Sequence, residues 1–124
     1  MPVQVLICDD HESFRAAARE VVNATHGFAV VGETETGEES VLAAGRLHPD
    51  LVLMDIHLPG IDGLEAGRRI QAANPKVAVL LLSTYDREEF AVRFPGSGTV
   101  AFISKAAFGP DGLLEVWAHL GVLD

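Results

Sequence analysis

The sequence predicts a doubly wound α/β sandwich, in which one parallel sheet lies between two layers of helices. Five short apolar runs alternate strictly with five longer segments of helical period, and the runs are nearly continuous in Val, Ile, Leu and Phe. Continuous apolar runs are typical of strands that are covered on both faces. Strict alternation favours parallel strands joined by right-handed crossover helices. A length of 124 residues, of which 48% are hydrophobic, predicts one domain over residues 1–124.

The five apolar runs are the predicted strands. No repeat, low-complexity tract or linker interrupts the series. In parallel sheets of this type, ligands bind beyond the carboxyl ends of the strands, so the residues directly after each run carry the most information about function. In chain order the runs are Val3–Cys8, Phe28–Gly32, Leu51–Met54, Val77–Leu82 and Val100–Ile103.

Apolar residues at helical spacing predict the helices. In the first helical segment, Phe14, Ala17 and Ala18 recur at the spacing that places them on one face. Proline marks the ends of the next two segments, because the residue before a proline disfavours the helical conformation. The predicted helices are Glu12–Asn23, Gly37–Leu47 before His48-Pro49, Gly63–Ala73 before Asn74-Pro75, a fourth from about Arg87, and Asp111–Leu120.

Composition excludes several classes of function and location. The 9 Lys and Arg against 18 Asp and Glu give a formal net charge of −9, which argues against direct binding of nucleic acid by this domain. No apolar run approaches the roughly 20 residues of a membrane helix, and "MPVQVLI" lacks the basic region of a signal peptide. The single cysteine, Cys8, excludes an internal disulfide and fits a reducing cytosol. We therefore expect a cytoplasmic domain without membrane contact.

Polar side chains follow four of the predicted strands. Asp9 and Asp10 follow the first, Asp55 the third, Ser83 the fourth and Lys105 the fifth. Taken singly, each has an ordinary structural explanation, as a helix cap, a turn former or a solvated surface amine. Together they place three carboxylates, a hydroxyl and an ammonium at one edge of the sheet, which chance does not explain.

This set of side chains favours Mg²⁺-dependent phosphoryl chemistry. Three carboxylates in one cleft form a hard oxygen site that suits Mg²⁺. A carboxylate beside the metal can attack a phosphoryl group and hold it as an acyl phosphate. Phosphoryl transfer depends mainly on positioning and on charge neutralisation, which the metal, Lys105 and the Ser83 hydroxyl would share.

The same residues make the chain resemble the response-regulator receiver domains of two-component signalling, over essentially all 124 residues. Asp9-Asp10 match the family's acidic pair, Asp55 its phospho-accepting aspartate, Ser83 its hydroxyl residue and Lys105 its lysine. "DIHLPGIDGLE" is similar to the loop after the phosphorylation site, and "CDDHESFR" and "VVGETETGEE" are similar to the NarL/LuxR-type subfamily. The resemblance implies a flavodoxin-like (βα)5 fold with strand order 2-1-3-4-5.

The resemblance also implies roles for the site residues. Asp10, Asp55 and the backbone carbonyl of His57 would bind Mg²⁺ directly, and Asp9 would act through water. The side chains of His57 and Tyr85 would lie where access of water to the acyl phosphate is tuned, with the His57 ring facing solvent. The domain would catalyse its own aspartyl phosphorylation and dephosphorylation without turning over a free substrate.

The implied switch uses Ser83 and the ring of Phe102. Ser83 would shift towards the phosphoryl group, Phe102 would turn inward behind it, and the face of helix four, strand five and helix five would carry the signal. The chain departs from the family on this face. Pro95-Gly96 should end the fourth helix early or make it irregular, and Ala106 replaces the proline common after the lysine.

The implied partners are a sensor histidine kinase and a C-terminal helix-turn-helix output domain beyond this chain, and a homodimer is a further expected state. Two other functions stay open. One is a Mg²⁺-dependent phosphohydrolase, although such enzymes usually carry Asp-x-Asp, whereas Asp9 and Asp10 are adjacent. The other is a receiver-like interaction module without phosphorylation. A nucleotide-binding domain is disfavoured because no Gly-rich turn follows the first strand.

Overall fold

A parallel five-stranded sheet forms the centre of the protein, in the order β2-β1-β3-β4-β5. The computed structural model describes residues 2–94 and 101–123. Every neighbouring pair of strands is parallel, so all five carboxyl ends meet at one edge. The predicted fold class and strand order are confirmed. The strands are β1 (Val3–Cys8), β2 (Phe28–Thr34), β3 (Leu51–Asp55), β4 (Ala78–Ser83) and β5 (Phe102–Ser104).

Five helices cover the two faces of the sheet. Three of them begin after a residue whose side chain accepts a hydrogen bond from an amide of the first turn. For example, the Thr36 side chain accepts from Glu39 N, and the Asp86 side chain accepts from Glu89 N. A short 3₁₀ turn, Lys105–Ala107, follows β5. Among the helices described, none is long and apolar enough to cross a membrane. The helices are α1 (Glu12–Ala24), α2 (Gly37–Leu47), α3 (Gly63–Ala73), α4 (Arg87–Arg93) and α5 (Pro110–Leu123).

Alternation along the strands divides the core into two layers. Val5 and Ile7 of β1 face the layer that α1 and α5 complete, and this layer contains Leu113 of α5. Leu6 and Cys8 face the layer that α2, α3 and α4 complete. Successive strand residues point to opposite faces, and both faces are apolar, which explains the continuous apolar runs in the sequence.

β1 ends at Cys8 as predicted, but the other four strands extend further towards their carboxyl ends than the apolar pattern predicts. β2 continues to Thr34, and Asp55 and Ser83 are the last residues of β3 and β4. Backbone pairing continues after the apolar residues end, so the strand ladders include the polar residues of the edge. The fifth strand begins at Phe102, and Val100, its predicted start, lies outside the described residues.

The fourth helix is short, as the sequence predicts. It ends at Arg93, and the amide of Phe94 donates the closing hydrogen bond to the carbonyl of Phe90. A residue directly before a proline disfavours the helical conformation, which explains an end at this point. The predicted irregularity at Pro95-Gly96 lies outside the described residues.

Candidate functional site

The carboxyl edge of the sheet brings the three predicted carboxylates together. Asp9 directly follows β1, and its amide donates to the carbonyl of Thr34 on β2 at 3.0 Å. Oxygen atoms of Asp9, Asp10 and Asp55 and one ring nitrogen of His11 all lie within 4.8 Å of one another. The topology explains this meeting, because β1 and β3 are neighbours in the sheet.

Asp9 is buried and fully engaged. Its exposed fraction is 1%, and its Oδ2 accepts a 2.6 Å hydrogen bond from Lys105 Nζ. Its Oδ1 accepts from the amide of His11 at 2.8 Å, and its carbonyl accepts from Arg15 Nη1 at 2.8 Å. These bonds hold the residue in one orientation between β1 and α1.

Asp55 lies beside Asp9 in an environment that opposes its ionisation. It is 3% exposed. Burial raises the pKa of Asp55 above its ordinary value, the negative charge of Asp9 raises it further, and the Lys105 ammonium lowers it in part. Lys105 Nζ is 3.6 Å from Asp55 Oδ2, whereas Oδ1 accepts a 3.3 Å bond from the amide of His57. A further cation would stabilise the ionised carboxylates.

Lys105 is not a solvated surface amine. Its side chain is 15% exposed, and its ammonium lies 4.3 Å from the centre of the Phe14 ring. The Phe14 ring contacts the ring of Phe108, with centroids 6.2 Å apart. The lysine therefore lies between an aromatic face and the two buried carboxylates.

Ser83 lies at the end of β4, next to the strand that carries Asp55. The residue is completely buried, and its Oγ accepts a hydrogen bond from the amide of Tyr85 at 3.1 Å. It does not cap the fourth helix, because Asp86 accepts the capping bond from Glu89 N. Its hydroxyl proton is available for another acceptor at this edge.

Phe102 is already buried, with 5% exposure. Its ring stacks on Phe90 of α4 at a centroid distance of 4.3 Å and an interplanar angle of 14°. The Arg87 guanidinium lies 5.8 Å from the ring centre and donates to the Phe102 carbonyl at 3.2 Å. The Phe102 ring thus already lies in a buried position in this structure, and the switching role expected of it stays a prediction.

The rim of the site is aromatic and basic. The His57 side chain is exposed, as predicted from the sequence. Its ring packs edge-on against the ring of Tyr85, with the ring centroids 5.1 Å apart. The Arg93 guanidinium lies 4.6 Å from the centre of the Tyr85 ring. These contacts connect the last turn of α4 to the loop after β3.

Sequence reasoning missed His11 and Arg15. His11 Nδ1 lies 3.2 Å from Asp9 Oδ1 and 3.2 Å from Asp10 Oδ1. The signal for His11 is its position directly after the acidic pair. Arg15 lies one helical turn later, where its guanidinium contacts the Asp9 carbonyl.

The donor set fits Mg²⁺. The Asp9, Asp10 and Asp55 side chains present hard oxygen donors within one small volume. Burial and the neighbouring Asp9 charge raise the pKa of Asp55, and a cation would offset that effect. Both Asp9 oxygens already accept hydrogen bonds, from Lys105 Nζ and from the His11 amide, so the Asp10 and Asp55 carboxylates are the side-chain groups available for direct contact with a metal. The role predicted for the His57 carbonyl stays a prediction.

Comparison with known proteins agrees with this geometry. The family model described as response regulator receiver domain matches residues 5–117. Response regulator GacA of Pseudomonas protegens is 36% identical over 105 residues, which is 85% of this chain and 49% of that protein. Response regulator UvrY of Escherichia coli K12 is 35% identical over 105 residues, which is 85% of this chain and 48% of that protein. The chain thus spans about half the length of the curated relatives it matches.

Solved structures give the same result. A LuxR-family two-component response regulator from Aurantimonas sp. SI85-9A1 has a TM-score of 0.82 and 26% identity, covering 97% of this chain and 85% of that one. The receiver domain of the response regulator NarL from Mycobacterium tuberculosis has a TM-score of 0.80 and 25% identity, covering 92% and 94%. The chain therefore belongs to the response regulator receiver domain family of two-component systems, and its relatives support the NarL/LuxR-type subfamily.

Proposed function

We propose that Asp55 accepts a phosphoryl group from a sensor histidine kinase and thereby switches the face formed by α4, β5 and α5. The supporting observation is a buried Asp55 carboxylate that has a raised pKa and lies beside two other acids and the Lys105 ammonium. A carboxylate in this position can attack phosphorus as a nucleophile. The Lys105 ammonium would neutralise part of the negative charge of the phosphorylated product.

In the proposed transfer, one oxygen of Asp55 forms a bond to phosphorus while the bond from phosphorus to the kinase histidine nitrogen breaks. That nitrogen keeps the electron pair of the broken bond. Bound Mg²⁺ would neutralise phosphoryl oxygens during this displacement. Lys105 Nζ lies 3.6 Å from Asp55 Oδ2 and would contact one phosphoryl oxygen. The Ser83 hydroxyl, at the end of the neighbouring strand, would donate to another.

The domain would act once per signal and then lose its own phosphoryl group, so we class it as a regulated receiver that turns over no free substrate. Its ligands for Mg²⁺ would be Asp10, Asp55 and the His57 carbonyl, with Asp9 acting through water. This assignment leaves the Lys105 contact of Asp9 intact.

We also propose a transcriptional output. The relatives are about twice as long as this chain, and one of them, 34% identical over 113 residues, is the transcriptional regulatory protein DegU of Brevibacillus brevis. A helix-turn-helix domain after this receiver would make the contacts with DNA. The receiver itself is unsuited to them, because its net charge of −9 would repel the phosphate backbone. Such a protein would act in the cytoplasm.

Labelling with acetyl phosphate and Mg²⁺, followed by mass spectrometric mapping, tests the central claim. We expect one phosphoryl group on Asp55 in the wild-type protein and none in Asp55→Asn. Asp111→Asn, which changes an exposed aspartate of α5, is the matched control and should label like the wild type. Label on Asp9, Asp10 or a histidine with Asp55 unmodified would contradict the proposal, and no label at all would favour an interaction module.

A further inference from the structure

We propose that His11 supplies an imidazole nitrogen to the acidic site, so that the affinity of the site for transition-metal ions such as Co²⁺ and Zn²⁺ depends on His11 while its affinity for Mg²⁺ does not. The inference rests on the metal-binding part of the proposed function. It concerns the choice of metal, which the three carboxylates alone do not determine.

The distances place the imidazole among the carboxylate donors. His11 Nδ1 lies 3.2 Å from Asp9 Oδ1 and 3.2 Å from Asp10 Oδ1. When Asp55 is included, the donor atoms of all four residues lie within 4.8 Å of one another. Donors that each lie about 2.1 Å from one ion, at tetrahedral or octahedral angles, are separated by about 3.0–3.4 Å. The contact to Asp9 Oδ1 is a hydrogen bond in this structure, and an ion bound between the two atoms would replace it at nearly the same spacing.

The backbone explains why the ring faces this site. His11 immediately precedes α1, at the position whose side chain commonly caps a helix, but its side chain makes no capping hydrogen bond. Its backbone is extended, and its amide donates to Asp9 Oδ1 at 2.8 Å. This bond holds the His11 backbone beside Asp9, and the ring nitrogen lies 3.2 Å from both Asp9 and Asp10.

The chemistry of the ligands separates the metals. Mg²⁺ prefers oxygen ligands and retains several waters, so an imidazole adds little to its binding. Zn²⁺ and Co²⁺ accept imidazole readily, and their affinity for mixed nitrogen and oxygen sites exceeds that of the hard ions. The His11 side chain is 65% exposed, so the ring can adjust to an ion without disturbing the core.

An exposed histidine remote from the acids provides a matched control. His26 lies between α1 and β2, before the amino end of β2, whereas the acids lie at the carboxyl edge of the sheet, and it is not among the clustered donors. Substitution of His26 removes an exposed imidazole from the protein without removing the nitrogen that faces the acids.

Titration calorimetry of Mg²⁺ and Co²⁺ into the wild type, His11→Asn and His26→Asn tests the proposal at one fixed pH, with the visible absorption of bound Co²⁺ as a second readout. For His11→Asn we expect a loss of Co²⁺ affinity of about tenfold or more, a changed Co²⁺ spectrum, and Mg²⁺ affinity within about twofold of the wild type. His26→Asn should match the wild type with both metals.

Three results would overturn the inference: unchanged Co²⁺ affinity in His11→Asn, an equal loss of affinity for both metals, or a gain in Mg²⁺ affinity, which would make the ring a competitor of the metal. Labelling of Asp55 by acetyl phosphate and Mg²⁺ in the same variant separates the two claims. If Asp55 is still labelled while Co²⁺ binding is unchanged, only the His11 assignment fails. If the wild type binds neither metal, the metal site of the proposed function fails with it.

Discussion

The surroundings of Asp55 raise its pKa and make the carboxyl group harder to ionise than in the unfolded chain, whereas the proposed phosphoryl transfer requires the ionised form. Its pKa is raised mainly by burial and then by the neighbouring charge of Asp9. A raised pKa means that the folded protein holds the proton more tightly than the unfolded chain does. The contribution of Asp55 to stability is therefore most favourable below its unfolded pKa and is lost as the pH rises through the folded pKa.

We expect Asp55→Asn to be more stable than the wild type at pH 7.5 in metal-free buffer, because the amide removes a buried charge. The difference should shrink as the pH falls towards the ordinary aspartate value of 3.8. Urea unfolding with EDTA at several pH values measures it. Equal stability of the two proteins at pH 7.5, with Asp111→Asn as reference, would contradict this reading of the site.

Cys8 is a buried thiol of the core. Burial raises its pKa to about 12, and its exposed fraction is 1%. The reactive thiolate is therefore scarce at neutral pH. We expect slow reaction with a disulfide reagent at pH 8 in the native protein and rapid reaction in urea, measured by absorbance. Rapid labelling without urea would show that the thiol is accessible.

Phe14 should contribute to holding Lys105, since the ammonium lies 4.3 Å from the centre of its ring. A double-mutant cycle of Phe14→Leu and Lys105→Met, followed by urea unfolding, isolates this contact. We expect a coupling free energy of about 0.5–2 kcal/mol, the range for a partly desolvated cation over an aromatic face. Phe14→Tyr should retain most of it, whereas additive effects of the two substitutions would show that the contact is energetically neutral.

At the scale of elements, α4 is attached to the domain by few buried side chains. Of its seven residues only Phe90 is buried, and Phe90 stacks on Phe102 of β5. In α3, by comparison, Gly63, Ala66, Gly67 and Ile70 are all buried. Local stability follows the amount of buried apolar contact, so we expect α4 to be less stable locally than α3 and to move more readily in the proposed response to modification of Asp55.

We expect amides of Arg87–Arg93 to exchange hydrogen faster than those of α3 in the native, unphosphorylated protein, as measured by mass spectrometry. Phe90→Ala should speed exchange in α4 further and lower global stability by about 3–5 kcal/mol, the usual effect of truncating a buried phenylalanine. Equal protection of the two helices in the wild type would contradict this view of α4 as the mobile element.

At the scale of the whole molecule, metal binding at the acidic edge would be linked to folding. An ion that binds only the folded state raises its stability, by about 2.7 kcal/mol when the ion is present at 100 times its dissociation constant. Asp10 is the partly exposed acid of the cluster, and the charge of its carboxylate adds to the repulsion among the acids.

We expect Asp10→Ala to lose the increase in melting temperature that Mg²⁺ produces in the wild type, and to be at least as stable as the wild type in EDTA. Thermal melts with and without Mg²⁺ measure both effects. Asp111→Ala, remote from the cluster, should keep the full metal response. Equal Mg²⁺-induced shifts in wild type and Asp10→Ala would remove Asp10 from the metal site.

The sequence by itself determined the fold class, the order of elements along the chain, and the acids, hydroxyl and lysine that follow the strands. Apolar runs covered on both faces require helices on both sides of a sheet, and parallel strands place all their carboxyl ends at one edge. From these two facts the meeting of Asp9, Asp55, Ser83 and Lys105 could be expected without coordinates. The early end of α4 before Pro95 followed from local sterics alone.

Only the tertiary structure decided how those residues face one another. Lys105 lies 2.6 Å from Asp9 but 3.6 Å from Asp55, and its ammonium also lies over Phe14. His11 directs its ring to the acids, and Phe102 is buried against Phe90. Each arrangement depends on side-chain orientation and burial between segments far apart in the chain, 96 residues in the case of Asp9 and Lys105. Periodicity and spacing carry no information about such orientations, because packing in three dimensions selects them.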